Sequence, residues 1–141
     1  MTVLYAAFLV FAAVVSVCDA VTGAVPRFLF VLYFALLLIY CALFIPESLA
    51  LRIIGTAAAA FFFLAVRKFS GGGLGLADVW FAGVSAGTFP FPVWILAAAL
   101  GCTLAAVFML AAGKKKAPLL PFLAAGFAAV IIIEMFKGKT V

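Results

Sequence analysis

Residues 2–28 read TVLYAAFLVFAAVVSVCDAVTGAVPRF. No charge interrupts positions 2–18, and the run ends on a carboxylate, Asp19, followed by Gly23 and Pro26. An uncharged apolar segment of roughly 17–25 residues matches the hydrocarbon core of a bilayer when wound as a helix. The strict alternation of a membrane β-strand is absent, and the Ala-rich and Leu-rich composition favours helix. A cleaved signal peptide is the competing reading. The stretch lacks a basic n-region and a convincing cleavage site and exceeds a typical h-region, so a retained helix is expected.

The rest of the chain repeats this pattern. With 71% hydrophobic and 9% charged residues, the 141-residue chain holds more apolar surface than a soluble fold of its length can hide. Apolar runs fall at about 2–18, 28–45, 49–66, 77–90, 92–112 and 118–136. The expected fold is all-α: a polytopic membrane protein with about six transmembrane helices, forming one integral-membrane domain over residues 1–141. The fourth run is short for a full span, which predicts a start inside the preceding glycine stretch or a tilted helix sheltered by its neighbours.

Basic residues in the short loops set the expected orientation. With the N-terminus outside, Arg27, Arg67, Lys68 and Lys114–Lys116 face the cytoplasm; the reverse places only Arg52, Lys137 and Lys139 there. The expected location is the inner or plasma membrane. The net charge of +5 then reflects topology, with the lipid bilayer and no nucleic acid as partner.

The side-chain inventory removes several chemistries. The chain has no His, and no Asn or Gln, so Ser-His-Asp, Cys-His and H-E-x-x-H systems lack essential members. Cys18, Cys41 and Cys102 lie in or at the end of apolar runs without a C-x-x-C pair, which reads as structural; neither a metal nor a cofactor is called for. Of the four acidic residues, Glu47 sits in the loop IPESLALR near Arg52, a solvated interfacial position, and Glu134 precedes Lys137 at the spacing of a local ion pair.

Asp19 and Asp78 remain. Both fall at the cytoplasmic edge of a run in the N-out topology, so they can share one site. Asp78 suits a helix N-terminus, whereas Asp19 ends a helix and meets the unfavourable end of its dipole. A carboxylate kept at membrane depth against that cost is either an interfacial polar group or a functional one. Around Asp78 stands FSGGGLGLADVWF, whose four glycines serve either as a flexible connector or as a backbone cradle for an extended substrate. Phosphate-loop patterns are unmatched. Two carboxylates at one site point to aspartyl hydrolysis, in which one is ionised and draws a proton from water while the other, kept protonated by the like charge, polarises the scissile carbonyl.

Three segments resemble the type IV prepilin peptidase family, membrane aspartyl peptidases that include the archaeal preflagellin peptidases. DAVTGAVPRFL is similar to the family pattern of an aspartate ending the first helix, then an aliphatic residue and a proline opening the second, with Asp19, Val25 and Pro26 in those places. GGGLGLADVWF resembles the G-x-G-D motif, with Gly75 on its first glycine, Asp78 on its aspartate, Ala77 replacing the second glycine, and Gly73 in the preceding run. PLLPFLAAG is similar to the signature opening the last helix, through Pro118, Pro121, Phe122 and Gly126. Trp80 departs from the lysine that many bacterial members carry there, which bears on substrate preference.

The resemblance implies a cofactor-free peptidase with Asp19 and Asp78 as catalytic dyad and Gly73, Gly75, Ala77 and Pro26 as supporting motif residues. Its substrates would be prepilin-like precursors of type IV pilus or protein secretion systems, losing a short basic leader at the cytoplasmic face. Larger bacterial members carry a cytosolic insertion with paired cysteines, associated with N-methylation. This chain has no room for it between its runs, so the implied form is peptidase-only. The alternative is a non-enzymatic small membrane transporter or an inactive assembly subunit of a pilus or secretion system. A transporter would more typically place its acids near the midplane.

Overall fold

The computed structural model describes residues 2–71, 74–113 and 119–137. Within them lie six helices: α1 Thr2–Thr22, α2 Arg27–Phe44, α3 Leu49–Phe69, α4 Leu76–Thr88, α5 Phe91–Ala112 and α6 Leu120–Lys137, with a 3-10 turn at Pro46–Ser48. The all-α polytopic expectation holds. Four helices are long and apolar enough to cross a bilayer: α1, α2, α3 with its preceding turn, and α5. Their outward faces stay apolar, with Phe61, Phe69 and Leu110 more than two-thirds exposed, the surface that lipid rather than water solvates.

Helix α1 runs one turn beyond its apolar run. Charge marks where a segment leaves the hydrocarbon, but the backbone ladder continues until a residue breaks it, and here that residue is Gly23. It adopts the left-handed conformation (φ 64°), and its N–H donates to the Asp19 carbonyl at 2.9 Å. Asp19 therefore occupies the last turn of α1 rather than the position after it. Pro26 caps the start of α2, as its fixed φ and missing N–H favour.

The short fourth run becomes α4, whose 13 residues rise only about 20 Å against a hydrocarbon core of about 30 Å. Nine of its residues are buried, and it packs against α3, α2, α1, α5 and α6. The sheltering expected of this segment is thus realised by placing it at the centre of the bundle. Phe8 of α1, fully buried, joins α4 and α6 through rings at 5.6 Å (Phe81) and 5.4 Å (Phe127), and meets Phe89 edge-on at 4.8 Å.

Helices α5 and α6 cross through glycine. A Cβ on Gly126 would stand 2.5 Å from the Ala97 carbonyl oxygen and 2.7 Å from Gly101 N, and one on Gly101 would stand 2.7 Å from Leu123 Cα. These are backbone atoms that cannot step aside, so the two chains approach closely only because both positions lack a side chain. Of the signature opening the last helix, Pro121 and Phe122 lie in the first turn of α6, while Pro118 lies outside the described residues.

Gly126→Ala is expected to lower stability by about 1–3 kcal/mol through overpacking. Gly55→Ala meets nothing nearer than the Ala86 carbonyl oxygen at 3.5 Å and should be neutral or up to about 1 kcal/mol stabilising. Unfolding midpoints in detergent micelles separate the two.

Candidate functional site

Two ends of the bundle carry different chemistry. At one, the start of α3 meets the end of α4: the Arg52 guanidinium donates to the carbonyl oxygens of Gly87 and Thr88, both at 2.8 Å, and its Nε donates to Ser48 Oγ at 3.0 Å. Arg52 is thus committed to the C-terminus of α4, where a cation suits the dipole, rather than to Glu47, which is exposed. The buried hydroxyl of Thr88 donates to the Val84 carbonyl and lies 3.3 Å from that of Tyr33, and Trp94 Nε1 donates to Ser85 Oγ at 3.0 Å.

At the other end, the last turn of α1 meets the first turn of α4. A cavity of about 660 Å³ opens there, lined by Asp19, Asp78, Gly75, Ala77, Arg27 and Trp80 among others. The two aspartates, 59 positions apart in sequence (78 minus 19), share one wall-to-wall space, and the charge of Asp19 acts unfavourably on that of Asp78.

The carboxylates are held differently. Asp78 is the third residue of α4 and is only 7% exposed; its Oδ2 accepts the Gly75 N–H at 3.0 Å. This is the return half of a capping box, the only half available where the N-cap has no side chain. A Cβ on Gly75 would stand 2.9 Å from Asp78 Oδ2, so glycine here leaves the carboxylate its place. Asp19 is half-buried, and its carboxylate has no hydrogen-bond partner among the described residues. One acid is anchored by backbone at a favourable helix end, while the other hangs free at an unfavourable one. Its helix ends in a compact turn in which the Thr22 hydroxyl lies 2.7 Å from the carbonyls of Cys18 and Ala24.

The expected site residues fall as follows. Asp19, Asp78, Gly75 and Ala77 line the cavity, and Pro26 holds the turn leading to it without lining it. Gly73 lies outside the described residues. Arg27, read from sequence only as a topological charge, lies on the cavity wall together with Phe30. Its position directly after Pro26 was the available signal, because a turn that leads away from Asp19 brings the next helix start back beside it. Among the described residues, no three His, Cys, Asp or Glu side chains gather as a chelating set.

A family model described as the type IV leader peptidase family matches residues 6–110, which takes in both aspartates, helices α2 to α4 and most of α1 and α5. No curated protein and no solved structure matches the chain.

Gly75→Ala should keep α4 in place, since φ −66° and ψ 149° are open to alanine, but drive the Asp78 carboxylate off the Gly75 amide. Losing that cap costs about 1 kcal/mol. Amide exchange should accelerate in the first turn of α4 and stay unchanged at the Arg52 end.

Proposed function

The chain belongs to the type IV leader peptidase family, and from that premise we propose that it is a membrane aspartyl endopeptidase that removes the short basic leader of prepilin-like precursors with Asp19 and Asp78. The observation that carries this reading is the common cavity of the two aspartates at one end of the bundle. Their position also speaks against a transporter, whose acids would sit near the midplane.

In the proposed reaction the dyad holds one proton between its two carboxyl groups, as like charges in one cavity favour. The ionised carboxylate takes a proton from a water molecule as the water oxygen bonds to the scissile carbonyl carbon. The protonated one donates to the carbonyl oxygen, giving a neutral tetrahedral diol. Collapse breaks the C–N bond, with one carboxyl passing a proton to the leaving nitrogen and the other recovering the proton from a hydroxyl. Atoms and charge balance without a metal or cofactor. The anchored Asp78 supplies a fixed reference point, and the unpartnered Asp19 is free to adjust to the substrate, in keeping with catalytic contacts that tighten only on binding.

The proposed orientation places this cavity at the cytoplasmic face of the inner or plasma membrane. Arg27 is at the carboxylate end, and Arg67 and Lys68 end α3 after it leaves the Arg52 end. That grouping of cations is the one the positive-inside rule assigns to the cytoplasm. Lys114–Lys116, which entered the same reasoning, lie outside the described residues. The carboxylates in the cavity offer partners to a basic leader, and the apolar portion of the precursor would remain in the membrane.

Asp19→Asn and Asp78→Asn should each lower precursor cleavage by about 10²–10⁴-fold at matched membrane levels, the usual share of a general acid or base. Glu47→Gln and Glu134→Gln should remain active. Gel-shift detection of leader removal reads the outcome, and substantial processing by either aspartate variant excludes the dyad. For orientation, single cysteines placed beside Arg27 and Arg67, in a background without Cys18, Cys41 and Cys102, should resist an impermeant thiol reagent applied to intact cells; labelling of both from outside reverses the topology.

A further inference from the structure

Besides the carboxylate cavity, the bundle carries a second concavity along its membrane-facing side. Helix α1 packs chiefly on α6 and α2 chiefly on α4, so α1 and α2 diverge. Between them lies a groove of about 510 Å³, lined on α1 by Val3, Val10 and Val14 and on α2 by Leu29, Leu36 and Tyr40, among others. Its lining runs from Val3 to Val14 and from Leu29 to Tyr40, a rise of about 16 Å along each helix. That length lies within the segments that cross the bilayer. The stacked rings of Phe11 and Tyr33, with centroids 4.3 Å apart, close its floor.

The groove ends beside the carboxylate cavity. Leu29 lines the groove and its neighbour Phe30 lines the cavity; on α1, Val14 lines the groove and Asp19, little more than one turn further on, lines the cavity. The two spaces share no lining residue but adjoin across the rings of Phe11 and Phe30, 5.7 Å apart, the one bearing the carboxylates and the other apolar. An occupant that fills both has a polar, cationic portion at the carboxylates and an apolar portion at membrane depth. A lipid chain or a second copy of this protein would fill the apolar part without presenting a peptide bond to Asp19 and Asp78.

We propose that the α1–α2 groove seats the apolar segment of the precursor that follows the scissile bond, so that docking within the membrane delivers the cleavage site to the carboxylate cavity. This rests on the peptidase reading above. Binding energy from a part of the substrate remote from the reacting bond then contributes to turnover.

The test uses full-length protein in lipid nanodiscs and two synthetic peptides that share one basic leader and one cleavage sequence. One continues into an apolar segment of about 20 residues, enough to span the bilayer; the other stops a few residues past the scissile bond. Ala7→Trp and Val10→Trp fill the groove from exposed positions on its lip, and Ala13→Trp adds the same bulk to an exposed position on α1 outside it. The two groove variants should lose about tenfold or more in kcat/KM on the long peptide, the effect of denying large apolar side chains their contact. Their cleavage of the short peptide, and both activities of Ala13→Trp, should match the unsubstituted protein. A photo-crosslinker at position 10 should capture the long peptide.

Groove variants that cleave the long peptide as the unsubstituted protein does overturn the proposal while leaving the peptidase intact. An equal loss on both peptides, an equal loss in Ala13→Trp, or crosslinks only to a second copy or only to lipid overturns it too. Failure of the unsubstituted protein to cleave either peptide sinks the peptidase reading, and the groove assignment with it.

Discussion

A helix shorter than the membrane is thick, placed at the centre of a bundle, leaves backbone groups at both ends that lipid cannot satisfy. Helix α4 is that helix, and its surroundings answer this constraint. Its last carbonyls, Gly87 and Thr88, are met by Arg52 from α3. At its start, the Gly75 amide is met by the carboxylate of Asp78. The polar side chains spent inside this apolar protein concentrate on α4: Thr88, Ser85, Tyr33 and Trp94 all bond on or beside it.

The same constraint shapes the proposed site. Because α4 starts inside the protein rather than at full membrane depth, its first turn faces the last turn of α1 across a space that neither helix fills, and this is where Asp19 and Asp78 converge. The pair is asymmetric in support. Asp78 answers a helix start with its charge and is fixed by an amide, whereas Asp19 sits against the dipole of α1 without a compensating donor among the described residues. A carboxylate in the second position gains nothing from the helix dipole, which is the physical reason it enters the proposed dyad.

Packing is uneven in a way that separates scaffold from opening. Glycines bring α5 against α6 and Gly83 brings α4 against α3, where an added Cβ would stand 3.3 Å from the Thr56 carbonyl oxygen. Those pairs are close because small residues let backbones approach. No glycine lines the seam between α1 and α2, where mostly Val, Leu and aromatic side chains leave the apolar groove. The close α3–α4 pair holds Asp78, whereas Asp19 stands on α1, one side of the loose seam.

Hydrophobic runs and turn residues are local quantities, so the sequence by itself determined that the chain is helical and membrane-embedded, where five long runs lie and which run is too short to stand alone. The aspartates of the proposed site stood out because a carboxylate at the edge of an apolar run is conspicuous, and the motif around each resembles a known family; the family match over residues 6–110 bears out that resemblance. Helix ends were less legible: α1 passes Asp19 to Thr22 because hydrogen bonding and the conformation of Gly23, not charge, end a helix. Only the tertiary structure decided what depends on contacts between distant segments. It turned Arg52 from a loop charge near Glu47 into the clamp on α4, gave Gly126 its reason in the backbone of α5, and set Arg27 on the cavity wall. No local pattern carries these, because each is a distance between residues brought together by the crossing of helices, and the crossing is set by the packing of the whole bundle.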